Sequence, residues 1–166
     1  MTWVKTAEVT FSGSSAVNID GCFSSAFSHY VVTRNLLGSV NNENLNVRLR
    51  VSSTDDSGAN YRRQEIDAAS TTIAGVRATG ESSWRCGLGR CLTSQLGYSQ
   101  TRISNPFEAV RTTAWTDWSY NADSTIGLNR IVMAHDLTTS YTGFSAIPAS
   151  GTITGTITVY GLKESA

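Results

Sequence analysis

Proline and histidine are nearly missing from this chain, at two residues each, and cysteine is scarce at three. His29 and His135 are the only imidazoles, and neither sits at finger spacing from a cysteine pair, so a four-ligand structural zinc site lacks its donors. Charge is scarce too. Charged residues make up 16%, and 13 Lys and Arg balance 13 Asp and Glu. The basic surplus or stripe of a nucleic-acid binder is therefore missing. No run approaches the ~18 apolar residues of a membrane span. The opening Met1-Thr-Trp-Val-Lys-Thr6 lacks the apolar core of a signal peptide. The expectation is a chain folded in a cytoplasm, with neither nucleic acid nor membrane as partner. The thiols Cys22, Cys86 and Cys91 are then free by default.

Hydrophobic residues are plentiful, at 40%, which argues against disorder. Serine, threonine, asparagine and glycine recur throughout and suit strands joined by turns better than long helices. The organising stretch runs from Ser150 to Lys163. Ile153, Gly155, Ile157, Val159 and Gly161 fall on one face, and Thr152, Thr154, Thr156, Thr158 and Tyr160 on the other. That pattern predicts a long strand with an aliphatic face that closes a sandwich. Leu45, Val47, Leu49 and Val51 alternate strictly with Asn46, Arg48 and Arg50, predicting a strand with one core face and one wet face. Val4 to Phe11 reads as an edge strand. Tyr30 to Leu37, Thr71 to Thr79, Tyr98 to Ser104 and Ile126 to Met133 read as further strands. Cys22 to Tyr30 reads as an aromatic corner, either one helical turn or an irregular bend. Tyr61 to Asp67 is ambiguous, Gly80 to Gly97 has no regular pattern, and His135 to Ala149 reads as a loop. The expected fold is all-β: one domain over residues 1–166, a jelly-roll-like antiparallel β-sandwich of about eight to ten strands.

Few residues suggest chemistry. Cys86-x4-Cys91 offers two zinc ligands, a disulfide, two free thiols or two small buried hydrophobes, and spacing does not settle whether they bond. His135-Asp136 with a serine would make a triad, but no Gly-x-Ser-x-Gly elbow is present, so a polar loop is the plainer reading. Asp55-Asp56 and Glu65 with Asp67 offer carboxylates for glycoside hydrolysis or calcium; beside Ser57-Gly58 the aspartates read first as a solvated turn. No catalytic residue, metal or cofactor is expected. Arg48, Arg50, Arg62 and Arg63 read as ion-pair partners of neighbours or of another subunit. Trp84, Trp115, Trp118, Tyr120 and Tyr141 are weighed as core residues and as platforms for a glycan or a partner protein. On a strand Trp118 and Tyr120 share a face and Trp115 takes the other.

Several short motifs occur in a telling order. Gly21-Cys-Phe-Ser-Ser-Ala-Phe-Ser-His-Tyr30 follows the first strands. Leu45-Asn-Val-Arg-Leu-Arg50 and then Tyr61 come next. Ile103-Ser-Asn-Pro-Phe107 precedes Thr112-Thr113, and Gly151 to Lys163 ends Tyr-Gly-Leu-Lys. This order resembles a family of small all-β structural proteins of tailed bacteriophages, marine and cyanobacterial ones especially. The likeness touches most of the chain. It departs at Phe27-Ser28-His29-Tyr30, where the family often reads tyrosine-aspartate-asparagine-tyrosine, and Gly80 to Gly97 has no counterpart. The resemblance implies a non-enzymatic virion protein: a capsid decoration, cement, knob or fibre protein, or a tail appendage that touches the host. It implies other virion proteins as partners and a homo-oligomer such as a trimer; the aromatics Trp84, Trp115, Trp118, Tyr120 and Tyr141 add a host surface glycan as the alternative partner.

Overall fold

The structure, a computed structural model, describes residues 1–166 except 41–42, 70, 92, 94–95, 123–124 and 164–166. Of residues 43, 69, 86–91, 120–122 and 125–126 it describes the backbone path alone. Thirteen strands and no helix occur among the described residues. The larger sheet runs, in spatial order, β1 (Thr2–Ser14), β13 (Ile153–Lys163), β3 (His29–Gly38), β9 (Gly97–Ser104), β10 (Thr113–Ala122), β11 (Thr125–His135), β6 (Tyr61–Ala69) and β7 (Thr72–Glu81). The smaller sheet holds β2 (Val17–Ile19), β12 (Gly143–Pro148), β4 (Glu43–Val51) and β5 (Thr54–Asp55), and β8 (Trp84–Cys91) pairs with β4 as well. Every pairing is antiparallel. The chain changes sheet repeatedly, and the result is an all-β sandwich.

The C-terminal stretch behaves as its period-two pattern requires. Ile153, Ile157 and Val159 are buried in the core, and β13 lies between β1 and β3. Its glycines are contact points. A Cβ on Gly161 would sit 2.4 Å from the Phe27 ring, so the bare backbone there is what lets the aromatic corner lie against the strand. Gly155, at φ +148°, would place a Cβ 2.1 Å from the carbonyl oxygen of Asn35 on β3. The corner itself is an irregular bend. The Tyr30 hydroxyl closes it, accepting from Ser24 N at 2.8 Å and donating to Ser24 O at 2.9 Å. Phe23 and Tyr30 enter the core edge to face, with centroids 4.8 Å apart.

Four expectations need correction. The strand count is thirteen, above the eight to ten read from turn signals, because several strands are short or join without a glycine or proline. His135 to Ala149 is not one loop: β11 extends to His135, and Gly143–Pro148 is a strand between β2 and β4. Gly143, Phe144, Ser145 and Ala146 are all buried, so both faces are covered and no alternation marks them. Arg50 belongs nominally to the wet face of β4 but is buried. Its Nε lies 2.8 Å from Asp20 Oδ1, and its other nitrogens bond Asp55 and the Ser53 carbonyl. Gly80 to Gly97, left without regular structure on sequence grounds, carries β8.

Candidate interaction face

The larger sheet has an inner face toward the second sheet and an outer face away from it. Pairing registers place residues across the outer face in rows. One row runs Lys5, Tyr160, Val31, Arg102, Trp115, Val132, Gln64 and Arg77. The next crosses Gln100, Asp117, Arg130, Ile66 and Gly75, and a third crosses Ser119, Leu128, Ala68 and Ile73. Ile66, Ile73, Leu128 and Val132 on these rows are 50% to 76% exposed. Trp115 is exposed beside Val132, and Trp3 and Tyr98 are exposed on the same outer face.

The inner face under the same rows carries buried polar groups. Thr116, Asn129 and Glu65 are buried there, each adjacent in sequence to an outward residue of the face. Asn129 Nδ2 donates to Glu65 Oε1 at 2.6 Å, Thr101 and Thr116 hydroxyls meet at 2.5 Å, and Arg34 donates to the hydroxyls of Ser99 and Thr101. Across β10, β11 and β6 the usual amphipathic pattern is thus mixed: Thr116, Asn129 and Glu65 face in beside Ile131, and Ile66, Leu128 and Val132 face out beside Gln64, Asp117 and Arg130. Ile131, in register between Thr116 and Glu65, and Ile103, Ala114 and Met133 one row on join the core.

A depression of about 510 Å³ is lined by Ile66, Leu128, Tyr98, Asp117 and Arg130, among others. Asp117 and Arg130 are opposite one another and form a two-bond fork, Nε to Oδ1 at 2.5 Å and Nη2 to Oδ2 at 3.0 Å. The Arg130 guanidinium holds the Asp117 carboxyl below its ordinary range. Arg102 lies over the Trp115 ring, 5.5 Å from its centroid, so one side of that aromatic already carries a cation.

The five aromatics singled out from sequence do not share one surface. Trp84 and Tyr141 are fully buried, so neither is a platform. Trp84 Nε1 donates to Ala134 O at 3.0 Å from within the core. Trp115 points outward, and Trp118 lies on the opposite face of β10 and is half-buried. The side chain of Tyr120 lies outside the described residues. The sequence reading missed Ile66, Leu128, Val132, Ile73, Tyr98 and Trp3. The signal was present: β11 is apolar at both parities, which a strand with one wet face is not.

His135 does meet a carboxylate and a hydroxyl, but not the expected ones. Its Nε2 is 3.2 Å from Asp56 Oδ2, and its Nδ1 is 3.2 Å from the Tyr141 hydroxyl, which donates to Asp56 Oδ2 at 2.9 Å. Asp136 turns away to Arg62, at 2.5 Å. Tyr61 packs edge to face on His135 at 4.5 Å and bonds the backbone of Asp56 and Leu49. Burial pushes the His135 imidazole below its ordinary pKa, against the pull of Asp56. His135 and Tyr141 are both wholly buried, so the cluster offers no seat to a substrate; its work is to pin the loop holding Asp56 to the end of β11.

The remaining candidates resolve into structure. Arg63 forks onto Glu81 at 2.7 and 2.8 Å, Arg50 joins Asp20 and Asp55, and Arg48 donates to Ser82 O at 3.1 Å. The first two are the ion pairs to neighbours that the sequence suggested, and Arg62 adds another with Asp136. Asp55 and Asp56 part company, one to Arg50 and one to His135. Among the described residues no three His, Cys, Asp or Glu side chains gather at metal-ligating range. The side chains of Cys86 and Cys91 lie outside the described residues. Cys22 is free and buried, and burial pushes its thiol up to about 12. No protein-family model, curated protein or solved structure matches the chain.

Proposed function

We propose that this chain is a non-enzymatic structural protein exposed on a tailed phage particle, as a capsid decoration, cement or head-knob subunit. The order of sequence motifs supplies the phage context. One structural observation carries the reading: over β10, β11 and β6 the larger sheet turns aliphatic side chains outward and buries hydrogen-bonded polar ones. Exposed aliphatic side chains gathered on a sheet face mark a surface made to be covered by protein. A subunit that works by being built in needs such a surface and needs no reaction centre. Its partners on this reading are other virion proteins and further copies of itself, and its location is the virion, assembled in the host cytoplasm.

The test is to raise an antibody to the chain and locate it on purified particles of the phage that encodes it. Label over the shell supports a decoration or knob protein. Label confined to the tail moves it to the tail. Absence of the chain from those particles by mass spectrometry ends the virion reading.

A second reading, a tail receptor-binding or carbohydrate-binding module, is favoured by a different observation. Tyr98 is exposed at a depression that also presents Asp117 and Arg130, the mix of flat ring and planar polar groups that suits sugar hydroxyls. Titration of a glycan panel against tryptophan fluorescence tests it. Silence across the panel counts against it, and a response lost in Tyr98→Ala with unchanged folding supports it.

A further inference from the structure

We infer that the outer face of the larger sheet binds a second copy of this chain, sheet against sheet, about a two-fold axis through the face. This deepens the proposed reading of an assembly subunit and rests on it.

Extent is the first argument. Eight strands at about 4.8 Å spacing make a face roughly 34 Å wide, and strands of this length make it roughly 30 Å long. The plan area is on the order of 1,000 Å², against about 800 Å² per partner in a stable protein–protein interface. A small ligand would cover only the depression and leave Val132, Trp115 and Ile73 wet. The second argument is chemical. Leu128, Val132 and Ile66, half or more exposed around the Asp117–Arg130 pair, are branched aliphatics, which pack against other side chains and give a sugar ring no flat surface.

Charge is the third. Asp117 and Arg130 satisfy each other by two bonds within one copy, so that pair needs no counter-charge from a partner. Arg102, the other cation acting on Asp117, lies over the Trp115 ring. A partner that carries the same paired groups brings no unpaired carboxylate to the centre. Shape agrees as well. Two sheets of the same twist pack face to face about 10 Å apart at a small angle, and two copies of one sheet have the same twist by construction. In that arrangement Ile66, Leu128 and Val132 of each copy interdigitate with those of the other. The ion pairs then lie side by side, an isologous contact that closes at two copies.

The test is sedimentation velocity with light-scattering mass on the full chain over a wide concentration range. The variants are Leu128→Glu with Val132→Glu on the face, and Val110→Glu and Leu137→Glu elsewhere on the exposed surface. The expected result is a mass of two chains for the native sequence and for the off-face variants. The face variant is expected at one chain over the same range, with an unchanged circular dichroism spectrum. Iodide should quench Trp115 more strongly in the face variant than in the native chain, since its exposed edge is covered in the pair. A native chain that stays single at every concentration overturns the inference, as does a mass of three chains or a pair indifferent to charges on the face. These outcomes separate from failure of the virion reading. A single chain that is still found on particles, and lost from them in the face variant, means that the face binds another virion protein. A pair that is absent from particles keeps the contact and loses the role.

Discussion

Ser52 and Ser53 join β4 to β5, with Val51 opposite Thr54 and φ angles of 46° and 71°. Positive φ at both central residues is the two-residue hairpin turn that favours Asn-Gly, because only glycine enters that region without steric cost. Neither serine is suited to it. Ser53→Gly is therefore expected to stabilise the protein by about 0.5–1 kcal/mol, read as a higher urea midpoint at unchanged slope. The Arg50 bond to the Ser53 carbonyl uses backbone, so the change leaves it in place. His135 supplies a second residue-scale prediction. Its folded pKa lies below its ordinary value, mainly because burial disfavours the imidazolium. Between that lowered pKa and about 6.5 the unfolded chain binds a proton that the folded chain refuses. Stability therefore rises with pH across that window and is flat above it from this group. Acidification costs up to about 1.4 kcal/mol for each unit of the shift. Comparing urea midpoints at about pH 7.5 and pH 5 should show the loss, and His135→Asn should remove most of the difference. An equal slope in the variant would show that another group carries it. None of this cluster was legible as a contact. Asp56 and His135 come together only because the loop after β5 meets the end of β11, and nothing local in either segment names the other.

At the scale of single strands, period two was informative wherever one face is core and the other wet. β4 and β13 were readable for that reason, and so was the edge position of β1. The pattern failed in two ways. β12 is buried on both faces and so does not alternate. β7 is exposed along nearly its whole length, so its threonines and alanines have no core to point to, and its outline came from β-branching alone. The outward aliphatics of β11 misled in the opposite sense, since Asn129 on its inner face is buried through a hydrogen bond to Glu65. Gly161 on β13 gives the prediction for this scale. Its Cα supports the Phe27 ring so closely that any Cβ must displace it. Gly161→Ala is expected to cost about 1–3 kcal/mol by overpacking. Adding Phe27→Leu should recover part of the loss, because the two positions share one contact and their effects are not additive. Additive costs in the double variant would show that the strand, rather than the ring, resists the methyl group.

For the molecule as a whole, the two sheets are unequal, and this divides the sandwich into parts of different strength. Around β13, β3, β4 and β12 the sheets face each other across Ile157, Val159, Val32, Leu49 and Phe144, all in one core cluster. At the far edge β7 pairs with β6 alone among the described residues and lends no buried large side chain to that cluster. Local opening of such an edge breaks one ladder and uncovers little apolar surface, whereas opening β13 breaks two ladders and empties the core. Amide hydrogen exchange should show it. Backbone amides of β13 and β3 are expected to exchange near the rate set by global unfolding. Those of β7 are expected to be at least about a hundredfold faster, a gap of roughly 2.8 kcal/mol in opening free energy. Pairing through the outer face would slow exchange in β11 and β6 as concentration rises, yet it supplies no hydrogen-bond partner to the free edge of β7, which should stay fast. Protection of β7 equal to that of β13 would mean that its edge is bonded to another strand, and the contact between copies would then run along the edge of the sheet instead of across its face.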